Sequence, residues 1–167
     1  RYQFADGVKT GYTRQAGKCL VASATKDKQR LIAVVLNSKQ TYDDSQKLFE
    51  YGFNNYQLIK VVSPETEVGR VNVSQGVVPQ VPILPNQTIN LVIPRRETDE
   101  LRVNLDYPKT ISAPVERLQQ VGEVEVKFGE ELLEKASLVT AAAVPERSFW
   151  QKVWVWFKAL LQPGNYA

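Results

Sequence analysis

Asp6-Gly7-Val8-Lys9-Thr10-Gly11-Tyr12-Thr13, continued by Ala16-Gly17-Lys18-Cys19-Leu20-Val21-Ala22-Ser23-Ala24, is the stretch on which the reading of this chain turns. Val8 to Thr13 reads as a strand bounded by Asp-Gly, and Lys18 to Thr25, rich in small and apolar residues, reads as a second. Arg30 to Leu36 (RLIAVVL) is a nearly continuous apolar run, the pattern of a strand covered on both faces. Arg14 to Gly17 and Lys26 to Gln29 are the hairpin turns between them. Tyr42 to Phe53 follows with Leu48, Phe49, Tyr51 and Phe53. Its acidic start at Asp43 and Asp44 and its Gly52 near the end suit a helix. Residues 1 to 57 therefore read as an antiparallel sheet edge with a covering helix.

From about Leu58 the pattern changes. Arg70 to Val73, Thr88 to Ile93, Leu101 to Leu105 and Glu123 to Val126 alternate polar with apolar, the two-residue period of half-solvated strands. Pro64, Pro79, Pro82, Pro85, Pro94, Pro108 and Pro114 are expected mostly between these runs, where a missing amide donor harms no ladder. Residues 58 to 145 thus predict an all-β domain, a small antiparallel sandwich. Residues 146 to 167 hold all three tryptophans. Trp150, Trp154 and Phe157 fall on one helical stripe with Val153, Leu160 and Leu161, and Lys152 and Lys158 lie opposite. Too short and polar to span a bilayer, which takes about twenty apolar residues, this amphipathic helix is expected to lie on a membrane surface.

Composition narrows the chemistry. The 167 residues are 43% hydrophobic, enough to bury a core. A net charge of +3, interspersed along the chain, argues against nucleic acid as a partner. One cysteine excludes an internal disulfide, and the absence of histidine removes Ser-His-Asp and Cys-His chemistry and the commonest zinc ligand. Neither a metal nor another cofactor is expected. Cys19 reads as a small buried hydrophobe.

The order DGVKTGYT, AGKCLVASAT, RLIAVVL, DDSQKLFEYGFNNY and ISAPVERLQQVGEVEV, ending in an aromatic and basic tail, resembles the low-molecular-mass penicillin-binding proteins that are serine-type D-alanyl-D-alanine carboxypeptidases. The resemblance implies a mixed fold. Residues 1 to 57 would be the C-terminal piece of an α/β, serine β-lactamase-like catalytic domain, followed by the all-β sandwich and the amphipathic anchor. It implies that Lys9 strengthens the positive field beside the nucleophile and that Thr10 hydrogen-bonds the substrate's terminal carboxylate. Gly11 would let the backbone approach, and the Tyr12 amide would be an oxyanion donor. The expected partners are a peptidoglycan stem peptide ending in D-Ala-D-Ala, β-lactam antibiotics and, through the tail, the membrane surface. The expected location is peripheral, on the extracytoplasmic face of a bacterial membrane.

In this family the nucleophile's Ser-x-x-Lys and the Ser-x-Asn motif precede Lys-Thr-Gly, so the chain reads as a C-terminal fragment without its nucleophile and inactive alone. Ser23-Ala24-Thr25-Lys26 fits Ser-x-x-Lys formally, but activation needs the pair one helical turn apart, and here it ends a predicted strand. The family's arginine before the helix-opening serine is replaced by Thr41, four residues ahead of Ser45, with Lys39 as the nearest substitute. The competing class is a non-catalytic β-sandwich module at the membrane surface near the cell wall. A second enzymatic reading keeps the superfamily and makes the activity endopeptidase or β-lactamase.

Overall fold

The computed structural model describes residues 2–148. Within them the chain is mostly β-sheet, with one α-helix. The described residues divide into two compact units. The first takes the chain up to Lys60 together with Asn90–Asp99, and the second takes Val61–Ile89 and the chain from Glu100 onward.

In the first unit, β1 (Ala5–Thr13), β2 (Gly17–Lys26) and β3 (Gln29–Val35) form an antiparallel sheet in that order. The two-residue turn Asp27-Lys28 takes positive φ at both positions (50° and 67°), the backbone twist that matches a tight hairpin. Helix α1 (Thr41–Asn55) packs on one face. Its Phe49 and Phe53 close over Leu20, Ala22 and Ala24 of β2 and Ala33 of β3. Small alanines on the sheet leave room for the two rings, and Gly52 of the helix faces Leu31, where an added Cβ would come within 2.5 Å of a methyl. β1 begins at Ala5, three residues before its sequence-expected start, because Ala5 and Gly7 pair with β2 across a bulge at Asp6 and so do not bound the strand.

β4 (Tyr56–Val62) pairs with β7 (Ile89–Pro94) in a two-stranded sheet. Most of β7 consequently clusters with the first unit, although its alternating sequence suggests a place among the strands of 58 to 145. The Arg95 amide donates to the Asn55 carbonyl at 2.8 Å, tying the end of β7 to the end of α1.

The second unit holds a six-stranded sheet of β5 (Gly69–Ser74), β6 (Gln80–Pro85), β8 (Leu101–Asp106), β9 (Thr110–Ser112), β10 (Gln120–Phe128) and β11 (Glu131–Thr140), in the order β8-β10-β11-β6-β5-β9. Alternate residues make its core: Val71 and Val73, Val81 and Ile83, Val124 and Val126, Ala136 and Leu138 are all buried. That period-two burial is the driving term of the sheet. Two features differ from expectation. β9 runs parallel to β5, so the sheet is not purely antiparallel. Pro82 and Pro85 lie inside β6, between two other strands, and not in a connection. The Pro82 carbonyl accepts from the Ala141 amide at 2.9 Å, so its nitrogen also points toward β11, past the last paired residues Thr140 and Ile83. The missing donor falls where that ladder has already ended.

Candidate active site

β1 is an edge strand, hydrogen-bonded to β2 on one side, and every residue in it is exposed. Its register pairs Lys9 with Val21, Thr10 with Leu20, Gly11 with Cys19 and Tyr12 with Lys18. Directly paired residues share a face, so Thr10 and Tyr12 stand on the α1 side, with Lys9 and Gly11 on the other. Tyr12 is 70% exposed. Among the described residues, Lys9 enters no ion pair and Thr10 no side-chain hydrogen bond. The strand thus offers an unpaired backbone edge, a free ammonium, a free hydroxyl and a Gly with nothing within 4 Å of an added Cβ. Such an edge can accept an extended peptide as an extra strand.

The start of β1 is held by Asp6, which sequence reasoning treats only as a boundary. Ala5 pairs with Ala24 and Gly7 with Ser23, so Asp6 is the extra residue of a bulge. Its carboxylate accepts from the Ser23 hydroxyl, from Thr25 Oγ1 at 2.6 Å and from Arg30 Nη2 at 3.5 Å. The hydrogen bonds from Ser23 and then Thr25, assisted by the charge of Arg30, hold the Asp6 carboxyl below its ordinary value. Ser23 and Thr25 sit two apart on one face of β2, with Arg30 of β3 opposite Thr25, and the bulge register brings the Asp6 carboxylate to them.

Ser23 and Lys26 both lie on β2, so the formal Ser-x-x-Lys pair has strand and not helix geometry. Ser23 is fully buried and donates to Asp6, while the Lys26 ammonium stands over the Phe4 ring at 5.4 Å from its centroid. Thr41 opens α1, buried and uncharged, and Lys39 is exposed in the loop before it. A groove of about 710 Å³ lies on the α1 side, lined by Tyr2, Asp6, Leu20, Tyr42, Asp43 and Phe49. On the opposite face of the sheet, Ile32 (69% exposed) and Val34 (57%) are bare. Trp150, Lys152, Trp154, Phe157 and Lys158, the expected membrane anchor, lie outside the described residues. Among the described residues no helix is long and apolar enough to cross a membrane.

Comparison with known proteins gives two family matches: "Penicillin-binding protein 5, C-terminal domain" over residues 56–146 and "D-alanyl-D-alanine carboxypeptidase" over residues 1–40. The chain is 31% identical over 154 residues to the D-alanyl-D-alanine carboxypeptidase DacC of Escherichia coli (strain K12), covering 89% of this chain and 38% of that protein. It is 27% identical over 152 residues to DacF of Bacillus subtilis (strain 168), covering 89% and 39%. The crystal structure of penicillin-binding protein 5 from Haemophilus influenzae superposes with a TM-score of 0.65 at 30% identity, over 86% of this chain and 43% of that one. The chain therefore spans about two fifths of the length of these curated relatives.

Proposed function

Because this chain belongs to the low-molecular-mass penicillin-binding proteins of the D-alanyl-D-alanine carboxypeptidase family, we propose that it forms the C-terminal part of a serine-type enzyme that removes the terminal D-alanine from peptidoglycan stem peptides. The observation that carries this reading is the exposed edge strand β1 with Lys9, Thr10, Gly11 and Tyr12 in sequence. A stem peptide lies along that edge as an added strand. The Tyr12 amide donates to the oxygen that becomes negative when a serine attacks the penultimate carbonyl. Lys9 adds a fixed positive charge beside the nucleophile, Thr10 binds the terminal carboxylate, and Gly11 keeps the approach open. β-Lactams acylate the same nucleophile against the same wall.

The serine belongs to a part of the polypeptide outside residues 1–167. The bare face around Ile32 and Val34 supports this, since a sheet that buries Ala22 and Ala33 under one helix leaves the other face for further parts of its domain. The stripe of Trp150, Trp154 and Phe157, with Lys152 and Lys158, anchors the protein peripherally to the extracytoplasmic face of the membrane. The test is mass spectrometry after penicillin treatment. The complete polypeptide is expected to carry one acyl adduct on a serine outside these 167 residues, and the isolated chain none. An adduct on Ser23 of the isolated chain would overturn the reading.

A further inference from the structure

A peptide that ends in a carboxylate brings a full negative charge to β1, and Thr10 answers it with a neutral hydroxyl. We propose that Lys18 is the cation that recognises this carboxylate, holding it jointly with Thr10; the assignment rests on β1 being the substrate-binding edge. The ladder puts Lys18 opposite Tyr12 and Leu20 opposite Thr10. Lys18 is therefore on the same face as Thr10, as its diagonal neighbour, with Cα atoms about 7–8 Å apart. A flexible four-carbon stem covers that span and brings the ammonium beside the Thr10 hydroxyl.

Several other cations of this unit are placed differently. Lys9 stands on the opposite face of β1, Arg30 is engaged with Asp6, Lys26 sits over Phe4, and Lys47 lies 4.0 Å from Asp44. Arg14 and Lys39 lie in loops, without a strand to fix their direction. Lys18 is on the ladder, exposed, and in no ion pair among the described residues. Its backbone is pinned on both sides: it pairs with Tyr12, and its carbonyl accepts the Ser38 amide at 3.1 Å. Of the two acids at the start of α1, Asp44 accepts the Ser38 hydroxyl at 2.5 Å and faces Lys47, and Lys18 forms an ion pair with neither Asp43 nor Asp44 among the described residues. The Lys18 charge is thus available to a ligand, and a bound peptide that excludes water strengthens the attraction.

The experiment is steady-state hydrolysis of a peptide ending in D-Ala-D-Ala by the complete polypeptide and its Lys18→Met and Lys18→Arg variants, at low and high sodium chloride. Losing one charge-assisted contact raises KM about tenfold in Lys18→Met with kcat within about twofold. The rise of KM with salt seen in the wild type is expected to flatten in the same variant. Lys18→Arg is expected to restore both. A Lys18→Met enzyme with wild-type KM and salt dependence would overturn the role of Lys18 alone, as would an Arg variant no better than Met while both melt as the wild type does. A wild type that neither cleaves the peptide nor takes up penicillin would overturn the substrate-edge reading itself, and Lys18 with it.

Discussion

The Ser23 hydroxyl donates to the Asp6 carboxylate across the β1–β2 ladder, at the bulge three residues before Lys9. With Thr25 and Arg30 completing the set, a single carboxylate fixes where β1 starts and so where Lys9, Thr10 and Tyr12 fall along the edge.

The first prediction follows from the charge on that carboxylate. Asp6 titrates below its ordinary value, so its contribution to stability is complete above the unfolded value, near 3.9, and is lost as the pH falls through the lower folded one. Amide exchange in β1 is expected to accelerate as the pH drops below about 4, after correction for intrinsic rates. Asp6→Asn keeps the shape and removes the charge. It is expected to exchange faster at neutral pH and to lose the acid-dependent step. Equal pH profiles for the two proteins would show that the network does not hold the strand.

Much of the first unit was legible because its signals are local. The Asp27-Lys28 turn, the alanines of β2 and the phenylalanines of α1 each sit where their own sequence neighbourhood suggests. β6 was not legible. Pro82 forbids a ladder bond, and only the endpoint of the pairing with β11 shows that no bond was required there. β11 (ELLEKASLVT) mixes helix formers with strand formers, and its pairing with β10 and β6 decides the matter by tertiary context. At the edge strand, Lys9 to Tyr12 could be found from their order alone. The grip of Ser23, Thr25 and Arg30 on Asp6 required the register of a bulge, which sequence spacing does not reveal.

The second prediction concerns two glycines beside Tyr107. A Cβ at Gly122 would lie 2.2 Å from the Asp106 carbonyl oxygen and 2.7 Å from the Tyr107 Cβ, so β10 or its neighbour's backbone must move. At Gly69 the first obstacle, at 2.3 Å, is the Tyr107 hydroxyl at the end of a side chain that can swing away. Gly122→Ala is expected to cost about 2–3 kcal/mol, as overpacking against backbone does, and Gly69→Ala measurably less. Urea unfolding of both variants checks the order, and a reversed ranking would contradict the packing of Tyr107.

The third prediction tests the tail. If Trp150, Trp154 and Phe157 insert at the interface while Lys152 and Lys158 meet headgroups, the chain is expected to pellet with anionic liposomes, and a version ending at Pro145 is not. Charge and apolar burial can be separated with salt, which weakens the lysine contribution and leaves the aromatic one. Equal pelleting of both lengths would exclude the anchor.

The last prediction concerns Lys9 itself. Its ammonium stands on the face of β1 opposite Thr10 and is free of any ion pair among the described residues, so no salt bridge must be broken before it acts on a reacting group. A preorganised charge at a developing oxyanion or its nucleophile accounts for about 10²–10³ in rate. Lys9→Ala in the complete polypeptide is therefore expected to slow acylation by a fluorescent penicillin by that factor. Because Lys9 is exposed, the variant is expected to melt with the wild type, which separates a lost charge from a lost fold. Lys9→Arg keeps the charge but spreads it over a planar group, and it is expected to recover only part of the rate. Acylation at the wild-type rate with Ala at position 9 would show that the Lys-Thr-Gly strand is not the wall of the active site.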